Sequence, residues 1–326
     1  MKFPHRRQFL HLAAGAAALP AFPRIATAQT YPTRPVRLVA GFAPAGGTDI
    51  IARLIGHWLS ERLGQPFVVE NRPGGGGSIA TRAVVNSPAD GYTLLVASHA
   101  NAINATLYEN LTYNFVRDTT PVAGVVRVPL VIVINPSVPV RTLVEFISFA
   151  KANPGRVSMG SAGIGSGSHL AGELFKMMAN VSIVHVPYRS AGPALTDLMG
   201  GQVQVVFAGT LEATEYIKAG RLRALAVTTG TRSDALPDLP VVADFVPGYE
   251  ASGWYGIVAP KNTSPEITDT LNNAINSILA DAVMKSRLAD LGGVPMPMMP
   301  ADFGRFVAEE TEKWGKVVKF SGAKPD

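Results

Sequence analysis

The stretch "VRLVAGFAPAGGTDIIARLIGHWLSERLG", residues 36 to 64, carries the reading on which the fold turns. It opens with "VRLVAGFA", a short apolar run of the kind that forms a buried strand. Its last part sets Ile50, Ile51, Leu54, Ile55, Trp58, Leu59 and Leu63 on one helical face, with Gly64 as a stop. Between the two lies a loop in which Gly46 and Gly47 precede Thr48, a candidate N-cap, and Asp49, whose charge suits a first helical turn. A strand feeding a helix through such a loop is the opening of a βαβ unit.

The same alternation continues downstream. "PFVVENR", a helix from about Ser78 to Asn86, "YTLLVAS", "LVIVINP", "TLVEFISFAKANP", "VSMGSA", "SHLAGELFKMMAN", "SIVHVPY", "AGPALTDLMGG", "VQVVFAG" and "LRALAVTT" read in turn as strands and helices. One more strand, "WYGIVAP", is followed by two expected helices, from about Pro265 to Leu291 and from about Pro300 to Phe320. The alternation predicts an α/β protein with mostly parallel sheets flanked by helices.

In open parallel sheets, ligands bind beyond the carboxyl ends of the strands, where loops feed helix N-termini. There the first amides of a helix lack intrahelical partners and the helix dipole favours negative charge. A loop lacking Cβ atoms lets an anion approach those amides. One such loop is weak evidence, because a tight turn needs the same residues. This chain has several: "GSAGIGSGSHL" at residues 160 to 170, "NRPGGGGS" before Ser78, and "PYRSAGPA", which adds Arg189. Together they point to an anion held by amide donors in a cleft. Arg189 is equally readable as a solvated helix start.

Composition narrows the function. The first 28 residues have a basic start, an apolar run from Phe9 to Leu19 and small residues at Ala26 and Ala28, the pattern of an export signal cleaved near Ala28/Gln29. Arg6 and Arg7 fit the twin-arginine class, and an ordinary secretory signal remains open. Either signal places the mature chain outside the cytoplasm, soluble and periplasmic. Those residues hold four basic groups and no acid, so 29 basic against 24 acidic becomes 25 against 24 without them. A near-neutral body excludes a nucleic-acid partner, which would need a basic face. The absence of cysteine removes disulfides, thiol catalysis, thiolate metal sites and a lipoprotein anchor. No cofactor or metal is expected, since the mature histidines His57, His99, His169 and His185 lack ligand spacing.

"LVAGFAPAGGTDIIARLIG", "VVENRPGGGGSIATRAV", "PADGYTLL", "GSAGIGSGSHLAGELFK" and "VPYRSAGPALTDLMGGQVQVVF" resemble the Bug proteins, the substrate-binding receptors of tripartite tricarboxylate transporters. The resemblance runs colinearly over nearly all of the mature chain. It implies a two-lobed, Venus-flytrap periplasmic binding protein of type II-like form. Lobe 1 would comprise residues 29 to 127 and 253 to 326, and lobe 2 residues 128 to 252. It also implies a small organic carboxylate in the interlobe cleft and, as partners, the membrane subunits of such a transporter or a sensor kinase in their place. A monomer is expected. By carry-over, Phe42, Ala45, Gly46, Gly47, Thr48 and Asp49 form the first ligand loop, and Ser161, Gly165, Ser166 and His169 the second. Gly76 of the four-glycine loop, Ser98 at the end of "YTLLVAS", and Arg189 complete the candidate set.

Two departures from the family pattern bear on the ligand. Ala45 stands where a glycine is common, and Gln204 and Ala208 stand where acids are common. The second departure argues against a ligand carrying an ammonium. The competing reading, an extracytoplasmic hydrolase using Ser166 and His169, lacks a G-x-S-x-G elbow, since Met159 and Ile164 occupy the required glycine positions. The chain is therefore not expected to be an enzyme.

Overall fold

The computed structural model describes residues 31 to 44, 47 to 233 and 236 to 325. The export signal at residues 1 to 28, and Ala45 and Gly46 of the first loop, lie outside the described residues. Strands β1 (Val36–Ala40), β2 (Phe67–Asn71) and β3 (Thr93–Ser98) are parallel, linked by helices α1 (Gly47–Leu63) and α2 (Ser78–Val85). Helices α3 (His99–Leu107) and α4 (Phe115–Asp118) lead into the long strand β4 (Thr119–Ile134). Then come α5 (Leu143–Ala152), β5 (Val157–Ser161), α6 (Gly167–Ala179), β6 (Ile183–Pro187), α7 (Ala191–Met199) and β7 (Val205–Gly209). The chain continues through α8 (Thr210–Lys218), β8 (Arg223–Val227), β9 (Ser252–Pro260), α9 (Pro265–Ala280), α10 (Ala282–Asp290), β10 (Val294–Pro295) and α11 (Pro300–Ser321).

Strand order is β2-β1-β3-β9-β4-β7-β5-β6, with β8 and β10 also paired to β4. This is the expected α/β fold, with three parallel strands at the heart of each half and the crossing strands antiparallel to them. Strand β4 is the link: its first part, Thr119 to Pro129, pairs with β9, and its last part, Leu130 to Ile134, pairs with β7 and β8. Sixteen residues at about 3.3 Å each give β4 the reach to serve both groups.

Apolar side chains bind helices to both faces of each group. Ile51, Ile55 and Leu59 of α1 pack with Leu271, Ile275 and Ile278 of α9 on one face of the first group. Leu195 and Leu198 of α7 do the same for the second. The largest cluster runs through both groups, joining Ile132, Phe175, Trp254 and Trp314. Helix α11 lies across α3 and α6, so it touches both halves. Its Glu310 accepts hydrogen bonds from Trp254 Nε1 at 3.0 Å and Trp314 Nε1 at 2.8 Å, all three groups being buried. Lys313 pairs with the same carboxylate, which keeps the buried charge compensated.

Two differences from the sequence reading have local causes. The helix expected from Pro265 to Leu291 breaks at Asp281, whose extended backbone lets its side chain accept from the amides of Val283 and Met284 at 2.7 and 3.4 Å. A capping acid in mid-pattern starts a new helix. Helix α3 was not anticipated, because "HANAINATL" is rich in Asn and short in apolar period.

Gly256 of β9 tests the packing of α11. A Cβ there would sit 2.2 Å from Phe303 Cζ and 2.8 Å from the Ala123 carbonyl, so the helix would have to move. We predict that Gly256→Ala destabilises the protein by about 1–3 kcal/mol, the usual cost of overpacking. Thermal melting checks this, with an expected fall of several degrees; an unchanged midpoint would show that α11 is not seated as described.

Candidate functional site

The carboxyl ends of β1, β3 and β5 feed loops that meet over one cavity of about 360 Å³. Of the residues singled out in the sequence, Phe42, Gly47, Thr48, Gly76 and Ser98 line it from the first strand group, and Gly165 and Ser166 from the second. The N-terminal turns of α1 and α6 therefore open onto the same space from opposite sides. Gly41 and Gly77 let the first loop approach the four-glycine loop, since a Cβ at Gly41 would lie 2.8 Å from Gly77 Cα. Tyr255 closes the cavity, its hydroxyl so near α1 that a Cβ on Gly47 would lie 2.4 Å from it. Burial and the Glu212 charge push the Tyr255 phenol up to about 12, so it faces the cavity as a neutral donor.

A second chamber of about 260 Å³ continues from the first, sharing His99, Ala162, Ser166, Gly167 and Tyr255 with it. Its walls include Val128, Leu130, Phe207 and Ala208, with Ser168, Ser252 and Glu212 as polar points. Among the described residues, neither chamber is lined by Lys or Arg. His99 stands at the junction and reaches across to α6, where a Cβ on Gly167 would lie 2.9 Å from its Nε2. Its Nδ1 is buried without a hydrogen-bond partner, the Trp254 backbone lying near without meeting that geometry. Burial holds the imidazole below its ordinary value.

Other candidates support the loops from beneath. Asp49 is buried, accepting from Asn71 Nδ2 at 2.9 Å and pairing with Arg53 at 3.0 Å, so it ties α1 to β2. Ser161 is fully buried against His185, with Oγ 2.6 Å from Nε2. His169 is buried, stacks on His185 at 3.8 Å between centroids, and its Nδ1 accepts the Gly165 amide at 3.1 Å. Ser166 Oγ donates to the Gly163 carbonyl at 2.6 Å and accepts the His169 amide at 3.2 Å, which makes it a helix cap with no imidazole to activate it. Arg189 lines a separate depression with Gly163, Tyr188 and Pro193, outside both chambers.

The pattern of the tripartite tricarboxylate transporter family receptor matches residues 51 to 322. Protein BugT of Bordetella pertussis is 39% identical over 91% of this chain and 92% of its own length. Among solved structures, Rpa4515 of R. palustris with adipate is 38% identical, covering 91% of this chain and all of its own, with a TM-score of 0.77. MatC from Rhodopseudomonas palustris with bound malate is 31% identical, covering 88% of this chain and all of its own, with a TM-score of 0.73. The chain belongs to the tripartite tricarboxylate transporter receptor family. Members of this family are solute-binding receptors, and the chain is not an enzyme.

Sequence reading missed several groups that line the receptor's cleft. His99, Asn104 and Leu107 lie on the unanticipated α3, while Tyr255 and Ser252 lie in a strand that reads simply as apolar. Glu212 lies on α8, a helix the sequence reading passes over between "VQVVFAG" and "LRALAVTT". Gln204 does not bear on the ligand as its place in the sequence suggests. Its side chain accepts the Ser158 amide at 2.9 Å and donates to the Gly201 carbonyl at 3.2 Å, and it lines neither chamber. Its identity therefore says nothing about the ligand. Ala208 does line the second chamber, but Glu212, one turn further on, supplies an acid there.

The paired imidazoles give the second loop a pH dependence. Burial, then the neighbouring imidazole and Lys176, lower His169 to about 3. Burial and then Lys176 lower His185 to about 4. In the unfolded chain both titrate near 6.5. Below that value the unfolded state binds protons that the folded state refuses, so stability is full above about 6.5 and lost as pH falls toward 4. We predict a falling melting temperature between pH 6.5 and 5, and a shallower fall in His185→Gln; equal slopes would rule the stack out as the cause.

Proposed function

We propose that this receptor captures a small organic carboxylate in the periplasm and delivers it to the membrane subunits of a tripartite transporter. The observation that carries this reading is the meeting of two helix N-termini, those of α1 and α6, over one cavity that no described Lys or Arg lines. A carboxylate placed between them would accept charge-assisted hydrogen bonds from first-turn amides at both ends of its approach. The adipate and malate of its two solved relatives support that ligand class. Among the described residues no helix is long and apolar enough to cross a membrane.

In the same reading the two strand groups are two lobes, residues 29 to 127 with 253 to 326, and residues 128 to 252. They turn about the β4 and β9 segments where Arg127 pairs with Glu250. Because each lobe supplies one helix end, a ligand touching both would favour the closed form over the open one. The monomer is the binding unit, since both helix ends come from one chain.

A thermal-shift screen of the mature protein against mono-, di- and tricarboxylates tests the proposal. A ligand at 100 times its dissociation constant adds about 2.7 kcal/mol, an easily read shift. Gly47→Val should weaken the best ligand tenfold to a hundredfold, because its Cβ displaces the Tyr255 hydroxyl and crowds the α1 amides, and a charge-assisted hydrogen bond contributes about 1.5–3 kcal/mol. Circular dichroism must first show the variant folded. A folded Gly47→Val with unchanged affinity, or a screen in which no carboxylate stabilises the protein, would contradict it.

A further inference from the structure

The second chamber differs electrically from the first. The α1 and α6 entrances present first-turn amides to the ligand space, whereas at α8 the chain has placed its own acid. Glu212 Oε2 accepts the Gly209 amide at 3.1 Å, so this helix end is already served by a carboxylate. Glu212 is an exposed residue at the chamber wall, and its Oε1 has no hydrogen-bond partner among the described residues. It is the one formally charged side chain lining either chamber there. Around it the side chains are mostly apolar, the polar exceptions being Ser166, Ser168, Ser252 and the Tyr255 and His99 rings.

Resting on the carboxylate reading above, we infer that Glu212 selects the far end of the ligand: the bound molecule carries one carboxylate and, at its other end, a hydrogen-bond donor such as a hydroxyl or ammonium. Two occupants of this position differ in energy. A donor placed beside Oε1 makes a charge-assisted hydrogen bond to an acid that would otherwise lose water on closure. A second carboxylate in that place faces a like charge, and no described Lys or Arg lines the chamber to offset it. The start of α7, where Ala191 borders the chamber, is the rival position for a second carboxylate. Its neighbour Arg189 faces the separate depression and does not assist.

Matched ligands of one chain length decide between these occupants. Dissociation constants at pH 7.5 would be measured by calorimetry for hexanoate, 6-hydroxyhexanoate, 6-aminohexanoate and adipate, and for the four-carbon set of butyrate, 4-hydroxybutyrate, 4-aminobutyrate and succinate. The expected result is that the better of the hydroxy and amino acids in one set binds at least tenfold tighter than its dicarboxylate. Glu212→Gln should shrink that ratio below threefold. Glutamine at this position still accepts the Gly209 amide, so the α8 cap survives and a loss of selectivity reports the charge. A dicarboxylate that binds wild type as tightly as the hydroxy and amino acids would overturn the inference and favour the α7 start, as would a ratio that survives Glu212→Gln. If none of the eight acids binds, the carboxylate reading itself falls at these chain lengths, and this inference falls with it.

Discussion

A carboxylate that leaves water must find other donors, and the walls of this cleft offer no Lys or Arg side chain among the described residues. Under the proposed function, that constraint leaves the ligand's charge to backbone amides, hydroxyls and helix dipoles. Amides are short and fixed to the fold, so they act only where the backbone itself comes close. Hence the bare Gly41, Gly47 and Gly77 beside the cleft: at Gly41 and Gly47 a Cβ would meet a neighbour at under 3 Å, and a third loop, led by Gly76, crowds in beside them. The glycines around these loops thus have a geometric purpose: each lets a neighbouring segment come close.

Bringing two helix ends to one cavity is a problem of topology, and β4 with β9 solves it. The long strand pairs first with β9 and then with β7 and β8, so both groups of strands share a spine and present their carboxyl-end loops toward each other. Helix α11 braces that spine through Glu310, which receives both indole N–H groups, and Trp314 of the same helix borders the second chamber. A scaffold element therefore also shapes the ligand space. Beneath the second loop, the His169 and His185 stack and the Ser161 hydroxyl fill the role that Asp49 fills beneath the first: buried polar groups that hold a loop's backbone in register.

Much of this was legible in the sequence for a physical reason. Strand and helix periods, and the glycine loops between them, are local signals that point to Gly47, Thr48, Gly76 and Ser166, while Phe42 and Gly165 came from the family resemblance. What a local signal cannot carry is the direction in which a side chain points. Asp49, Ser161 and His169 sit in the right loops yet are buried, Asp49 held by Asn71, Ser161 by His185, and His169 by its stack on His185 and the Gly165 amide. Tyr255 and Glu212 show the converse. Tyr255 belongs to a strand that reads as plainly apolar and Glu212 to a helix the sequence reading passes over, and only the meeting of distant segments makes either one a wall of the cleft.

The central claim, that one anion is held by amides from both halves, is tested most directly by proton–nitrogen correlation spectra of labelled protein titrated with the carboxylate that raises its melting temperature most. The account predicts that the amides of Gly47 and Gly167 shift together, downfield in the proton dimension and with a single dissociation constant. Shifts confined to one of these two loops, or large shifts elsewhere with both glycines unmoved, would contradict it.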